Sequence, residues 1–330
     1  MTIDFALIEA YLHNVRFALE NEQPLHAEVL FAHIMELLAP TVAAQRSLAL
    51  PATFPVSLSA GIGLDQGKKR RSTPNEDFAF AVQGAVGTQV PFGLYVVADG
   101  MGGHANGREA SSLAIESLVD DVLPRVRAAQ VHDTCWGGLL RHGVERANAV
   151  IKERNQHSTD RSAMGTTVTA ALVVGAEAYV ANVGDSRTYL HRAGTLRQLT
   201  YDHSVVARLV ADGIIGPGEI YTHPRRNEIY RSLGEAASVE VDVFREPLQD
   251  GDVLLLCSDG LWEMIPDEQE IASILAAWWL SAATRAEKLV QLALQAGGLD
   301  NIGLAVVQVG IEDITGLPTV IVPCGKALSA

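Results

Sequence analysis

The sequence predicts an α+β fold, a four-layer α-β-β-α sandwich of two mainly antiparallel sheets flanked by helix pairs, with an N-terminal helical extension. Three observations predict it. Strand-length apolar or alternating runs dominate from Val56 to Val309, helical periodicities arrive in two pairs, and the order is strands, a helix pair, many strands, a second helix pair and a final strand. A doubly wound parallel sheet would alternate strand and helix instead.

Residues 1–40 read as two short amphipathic helices. Phe5, Ile8, Leu12, Val15 and Leu19 follow helical spacing, Asn21 to Pro24 interrupts it, and Leu30, Ile34 and Leu37 resume it before Pro40. The hairpin carries no chemistry of its own, so packing, self-association and docking of a partner through residues 1–40 all stay open. Residues 1–50 are thus an extension with its linker, 51–310 the main domain, and 311–330, with Pro318 and Pro323, a loosely attached tail.

Within the main domain, Ser57 to Leu64 and Phe78 to Val82 are expected strands, joined by the basic, turn-rich segment 68–77. The apolar run Leu94 to Ala98 is a buried strand ending abruptly in Asp99, followed by Gly100, Met101, Gly102 and Gly103. Asn106-Gly107 opens a helix with the stripe Ala110, Ala114, Leu118 and Val122, and a second helix carries Leu140, Val144, Ala147 and Ile151. Strands follow at Thr166 to Val174, Ala178 to Val183 and Thr188 to Arg192, then a helix at Val205 to Ala211. Residues 213–230, rich in Gly, Pro, His and Arg, read as a mobile loop. Strands at Val239 to Phe244 and Val253 to Cys257, helices at Asp267 to Trp279 and Thr284 to Ala296, and a strand at Ile302 to Val309 complete the chain.

Composition narrows the function. The chain has 330 residues, 48% of them hydrophobic and 19% charged, as expected of a folded protein with a substantial core. No apolar run approaches the ~18 residues that span a bilayer. The N-terminus lacks the basic-then-apolar layout of a secretory leader, so a cytoplasmic location is expected. A net charge of −14 disfavours nucleic acid and anionic membranes as partners. The three cysteines are too few and scattered for a disulfide framework or a thiolate zinc site.

The acids carry the chemical signal. Glu76 and Asp77 precede one strand, Asp99 and Asp259 end others, Asp185 sits in a tight turn, and Asp300 starts the last strand. Any one of them alone is an ordinary turn or cap residue. Gathered at one rim, they would repel one another unless cations sat among them, and hard oxygen donors of this kind suit magnesium or manganese. The bare backbone after Asp99 leaves the Gly100 carbonyl able to reach a cation.

Six motifs then identify a relative. Asn75-Glu76-Asp77, Asp99-Gly100-Met101-Gly102-Gly103-His104, Met164-Gly165-Thr166-Thr167, Gly184-Asp185-Ser186-Arg187, Ser258-Asp259-Gly260-Leu261-Trp262 and Asp300-Asn301 occur in the order and approximate spacing of the PPM family. The chain from 56 to 310 resembles these type 2C metal-dependent serine/threonine protein phosphatases, the bacterial branch above all. The resemblance implies a β-sandwich flanked by helix pairs and two Mn2+ or Mg2+ ions per site. Asp99 would bridge them, Asp259 and Asp300 complete one, Glu76 and the Gly100 carbonyl serve the other, and Asp77 orient metal-bound water. Asp185 and Asp259 match the residues of a third, weaker ion site, with Glu263 standing where the family usually has Asp. A hydroxide bridging cations roughly 3.5–4 Å apart would attack phosphorus in line, without a covalent enzyme intermediate.

Two further roles are expected on the same basis. A guanidinium should grip the phosphate; the family's position for it is Ser72 here, so the expectation falls on Arg71, with Arg70 next to it. The family's His after Asp-Gly is Met101 in this chain, which leaves His104 or metal-bound water to protonate the leaving group. Loop 213–230 corresponds to the variable flap beside the active site. The expected partners are phosphoserine and phosphothreonine proteins made by kinases. A non-catalytic phosphoprotein-binding relative, or a phosphatase dedicated to an anti-sigma-factor antagonist, are the competing readings; retention of all the metal-site acids argues against the first.

Overall fold

In the computed structural model, the described residues are 56–86, 90–102, 105–129, 134–157, 163–311 and 320–321. The helical extension, His104 and most of the tail lie outside them. The described residues form one compact unit.

Two antiparallel sheets make its centre. In one, β1 (Val56–Asp65), β11 (Ile302–Ile311), β10 (Val253–Cys257), β7 (Arg187–Arg192) and β8 (Thr195–Gln198) lie side by side in that order. In the other the order is β12 (Val320–Ile321), β2 (Asp77–Val86), β3 (Val90–Met101), β5 (Val168–Val174), β6 (Glu177–Val183) and β9 (Asp242–Pro247), with β4 (Gly165–Thr166) paired to the end of β3. Helices α1 (Ala105–Ala128) and α2 (Trp136–His157) follow β3. Helix α3 (Val205–Ala211) and a 3-10 turn (Pro217–Tyr221) lie between β8 and β9, and α4 (Asp259–Trp262), α5 (Glu268–Ala276) and α6 (Ala282–Gln295) between β10 and β11.

Strand alternation builds the layers. Leu94, Val96 and Ala98 point to a core shared with Ala110, Ala114, Leu118 and Val122 of α1 and Leu140, Val144 and Ile151 of α2. Their neighbours Tyr95 and Val97 point the other way, into a core shared with Leu254, Leu256, Ala305 and Val307 of the facing sheet. That sheet's other face, with Leu255, Leu304 and Val306, packs on Ile271, Leu275, Ala286 and Leu289 of α5 and α6. Three cores between four layers give the expected sandwich.

The differences from the expected elements have local causes. The strand expected over Thr166 to Val174 breaks at Thr167, because Gly165–Thr166 pairs with Gly100 and Met101 whereas Val168 onward pairs with β6. The ninth strand starts at Asp242, where its ladder with β6 begins, although Val239 still packs against the helix-side core. Helix α5 stops at Ala276, since Ala277 leaves helical geometry at ψ 73° and its carbonyl accepts from the Arg285 guanidinium. The polar strand β8 has no apolar alternation to reveal it; a two-residue turn with Ala193 and Gly194 at φ 49° and 82° folds it back on β7. Loop 213–230 carries the 3-10 turn and has its final residues anchored by a bridge between Ser204 and Ile229. Within the tail, Val320–Ile321 pairs with Val82 and Ala81.

Candidate active site

The acids gather where strand ends, short loops and the first turns of α1 and α4 meet. Asp99 pairs in register with Asp77 across β2 and β3. Its backbone is held by Thr167, whose Oγ1 accepts the Asp99 N–H at 3.1 Å and whose own N–H donates to the Asp99 carbonyl at 2.9 Å. Thr166 Oγ1 donates to the same carbonyl at 2.8 Å. The Thr166-Thr167 pair is thus the mount of the backbone that carries the Asp99 carboxylate.

Bare backbone brings the next oxygens together. A Cβ on Gly107 would lie 2.6 Å from Glu76 Oε1 and 2.7 Å from the Gly100 carbonyl oxygen. The two donors assigned to one cation therefore converge on a single point that the first turn of α1 leaves empty. Gly100 is equally constrained, because a Cβ there would strike the Gly107 carbonyl oxygen. The Gly100 N–H donates to the Glu76 carbonyl at 3.2 Å, and Ser111 Oγ donates to that carbonyl at 2.5 Å.

A second crossing places Asp259 and Asp300. Gly260 has no room for a Cβ against the Asn301 carbonyl, and the Ser258 N–H donates to Gly303 O at 2.9 Å. Asn301 staples the neighbouring segments, accepting the Glu76 N–H at 2.9 Å and donating to Gln66 O at 2.9 Å. Ser258 Oγ donates to Asp77 Oδ2 at 2.6 Å and accepts the Gly303 N–H at 3.0 Å, while Asp77 Oδ1 is buried with no donor. Sequence motifs contain Asn301, Ser258 and Thr167, but nothing in spacing reveals whose groups they hold.

One cavity of about 270 Å³ opens over this ground, lined by Arg70, Glu76, Asp99, Gly100, Met101, Gly102, Thr167, Asp185, Asn227, Ile229, Asp259, Asp300 and Asn301. Asp77 and Glu263 are not among its lining residues. Of the two arginines considered for gripping the phosphate, Arg71 is exposed and does not line the cavity, whereas Arg70 does, with Nη2 2.8 Å from Asp300 Oδ2. Backbone contact decides between them. Gly67 lies against the Asp300 carbonyl, and the Lys69 N–H donates to Gly298 O at 3.0 Å, so 67–70 runs along 298–300 and delivers the side chain of Arg70.

The crowding shows in the protonation equilibria. Asp77 is pushed up to about 8, by burial first and then by Asp259 and Asp300, against the lowering effect of the Ser258 hydroxyl. Asp99 is raised well above the usual carboxylate range by burial and by Asp77, Asp259, Asp185 and Asp300. Asp185 is raised by burial, then by Asp259 and Asp202. Asp259 is raised to about 6 by burial and Asp300, and Glu263 to about 7 by burial and Asp259. Each is thus biased toward binding a proton, as buried carboxylates that also repel one another are. Among the described residues no three acidic, His or Cys side chains yet stand at the mutual separation of one ion's ligands. The fit to a cation pair therefore rests on donor chemistry, on the Gly107 cradle and on convergence.

Asp185 is set by the turn at Gly184, φ 104°, and its carbonyl accepts from Trp262 Nε1 at 3.1 Å. Arg187 stacks 3.5 Å over the Trp262 ring and forms an ion pair with Asp202 at 2.6 Å, both side chains buried. This tightens the Gly-Asp-Ser-Arg turn onto the Asp259 helix. His203 is buried, and its Nδ1 accepts the Gly184 N–H at 3.0 Å.

An oxygen-only acidic rim with one guanidinium defines a cation-dependent enzyme for an anionic group. A family profile described as Protein phosphatase 2C matches residues 66–295. The serine/threonine phosphatase stp of Listeria welshimeri is 40% identical over 218 residues, covering 65% of this chain and 84% of that one. The S. agalactiae serine/threonine phosphatase structure has a TM-score of 0.67 and 34% identity, covering 76% of this chain and 99% of that chain. The catalytic domain of serine/threonine protein phosphatase PstP in complex with two manganese ions has a TM-score of 0.65 and 33% identity, covering 77% and 99%. The chain belongs to the protein phosphatase 2C, or PPM, family, and is a metal-dependent serine/threonine protein phosphatase.

Proposed function

We propose that the cavity hydrolyses phosphoserine and phosphothreonine esters of proteins with two manganese ions, directly and without a phosphorylated enzyme. The observation that carries this reading is the convergence of Glu76, Asp99, Gly100, Asp259, Asp300 and Arg70 on one cavity in a chain of this family. When bound, the ions would supply an acidified water and positive charge for the phosphoryl oxygens. The chain's residues do the rest. Glu76 and the Gly100 carbonyl are suited to one ion, Asp259 and Asp300 to the other, and Asp99 to both. Magnesium is an alternative occupant, and Asp185 with Asp259 and Glu263 are the donors for a third, weaker ion.

Arg70 takes the phosphate-binding role expected of Arg71. Its guanidinium is held by Asp300 at the rim and can turn from that carboxylate to two phosphate oxygens. Asp77, clamped through Oδ2 by Ser258 and paired in register with Asp99, is suited to orient the attacking water. His104, outside the described residues, remains the candidate for protonating the departing hydroxyl.

Among the described residues no helix is long and apolar enough to cross a membrane. The proposed setting is the cytoplasm, reversing the work of protein kinases. The test is manganese-dependent release of phosphate from a phosphothreonine peptide, with Asp259→Asn as control and manganese binding measured separately by calorimetry. Manganese binding with no turnover would leave a phosphoprotein-binding relative instead.

A further inference from the structure

Beyond the cavity rim an aromatic ridge continues that the chemistry above does not use. It starts at Ile229, one of only two large apolar side chains, with Met101, among the cavity's lining residues. Ile229 is fixed in place: it bridges Ser204, the Val205 N–H donates to Glu228 O at 2.8 Å, and the Tyr230 N–H donates to His203 O at 2.9 Å. The next residue, Tyr230, is 51% exposed, with its ring 5.9 Å from that of buried His203. His203 Nε2 faces Asp242 Oδ2 at 3.3 Å. Alternation along β9 puts Phe244 on the same face as Asp242. The ring of Phe244 meets that of Tyr201 edge-on at 5.7 Å, and Tyr201 is 72% exposed.

The charges along this path are already matched. Arg231 pairs with both Asp242 and Glu240 at 2.8 Å, and Arg225 with Glu228 at 2.7 Å. What the ridge offers outward is aromatic surface on a pinned backbone. Single exposed rings are common on any protein. Tyr230 is distinguished by following Ile229 of the cavity lining directly, and Tyr201 by its link to Tyr230 through Phe244, Asp242 and His203.

We infer that the ridge from Ile229 through Tyr230 to Tyr201 is a docking surface for the phosphoprotein itself, specifically for an extended segment flanking the phosphorylated residue that carries a bulky apolar or aromatic side chain. The inference rests on the phosphatase reading of the cavity. With the phosphate held between Arg70 and the acids, substrate chain leaving over the Ile229 rim meets Tyr230 within a few residues, since an extended segment advances about 3.3 Å per residue. Tyrosine loses little conformational entropy on contact and has a polar tip that tolerates water between encounters, so it suits repeated, transient docking.

The experiment uses the full chain with manganese and a phosphothreonine peptide series in which one Phe replaces Ala at each of about four positions on either side of the phosphoresidue. Wild type should prefer Phe at one or two neighbouring positions by about 3- to 10-fold in kcat/KM, the yield of one aromatic contact, and through KM. Tyr230→Ala should flatten that preference, and Tyr201→Ala should reduce it at the position farther from the phosphate. The second variant sits on a different segment, so a folding defect in one leaves the test intact. A flat wild-type profile, or a preference unchanged in both variants, overturns the docking surface. Turnover of p-nitrophenyl phosphate by wild type separates the two readings: turnover with a flat peptide profile removes the ridge alone, whereas absence of turnover removes the phosphatase reading beneath it.

Discussion

Arg70 donates from Nη2 to Asp300 Oδ2 at 2.8 Å across 230 positions of sequence, and on the proposed roles this pair joins the anion-binding and cation-binding sides of the cavity. Both side chains are near two-fifths exposed, so the pair contributes little to stability. Its value is positional: the acid that would hold a cation also parks the guanidinium beside the phosphate.

Arg70→Ala is therefore expected to raise KM for a phosphopeptide about 10- to 100-fold, matching the ~1.5–3 kcal/mol of hydrogen bonds to a charged group. Arg71→Ala should stay near wild type. Steady-state kinetics of the two variants checks it, and the reverse result would return the phosphate to Arg71.

Gly107→Ala puts a methyl group 2.6 Å from Glu76 Oε1 and 2.7 Å from the Gly100 carbonyl. Alanine favours a helix, so the fold should hold by circular dichroism. Manganese affinity by calorimetry should fall about 10- to 100-fold, the range for disturbed metal surroundings. Unchanged affinity would show that the two oxygens do not share an ion.

Asp259→Asn should act with opposite signs on stability and on activity. Without metal it removes one charge from a repelling cluster and should raise Tm, by roughly 1 kcal/mol in stability terms. With manganese it should lose roughly 100-fold or more in kcat. It should also lose most of the thermal stabilisation that bound metal gives wild type, about 2.7 kcal/mol at a hundredfold excess over Kd. Scanning calorimetry with and without manganese reads both.

The metal-free protein should lose stability as pH rises. Asp77, Glu263 and Asp259 titrate at about 8, 7 and 6 in the folded state, above their ordinary values of 3.8, 4.5 and 3.8. The folded state thus holds these protons more tightly than the unfolded chain does. Their stabilisation is full at low pH and disappears as pH climbs through the folded values. His191 and His203 are lowered from 6.5 by burial and by the nearby Arg285 and Arg231 respectively, so they act in the opposite sense below that range. Tm measured between pH 6.5 and 8.5 should fall in chelator, and saturating manganese should flatten the slope by replacing the protons.

Much of the fold was legible because its strands and helices advertise one periodicity each. The stripe Ala110, Ala114, Leu118 and Val122 proved fully buried, and Val253–Cys257 and Val205–Ala211 took the expected bounds. Elements whose existence depends on a partner were not legible. Polar β8 exists because β7 offers it a ladder, and the break at Thr167 exists because two different strands claim its neighbours.

The site divides in the same way. Sequence alone determined the chemical inventory: acids at the ends of apolar strands, glycines where backbone had to come close, and oxygen donors without His or Cys among them. Tertiary structure decided which arginine reaches the cavity and which side chains mount the acids, Ser258 on Asp77, Thr167 on Asp99 and Asn301 on Glu76. The physical reason is range. Periodicity and turn chemistry act over a few neighbouring residues, whereas the crossing of 67–70 with 298–300 is fixed by contacts more than 200 positions apart, which no local pattern encodes.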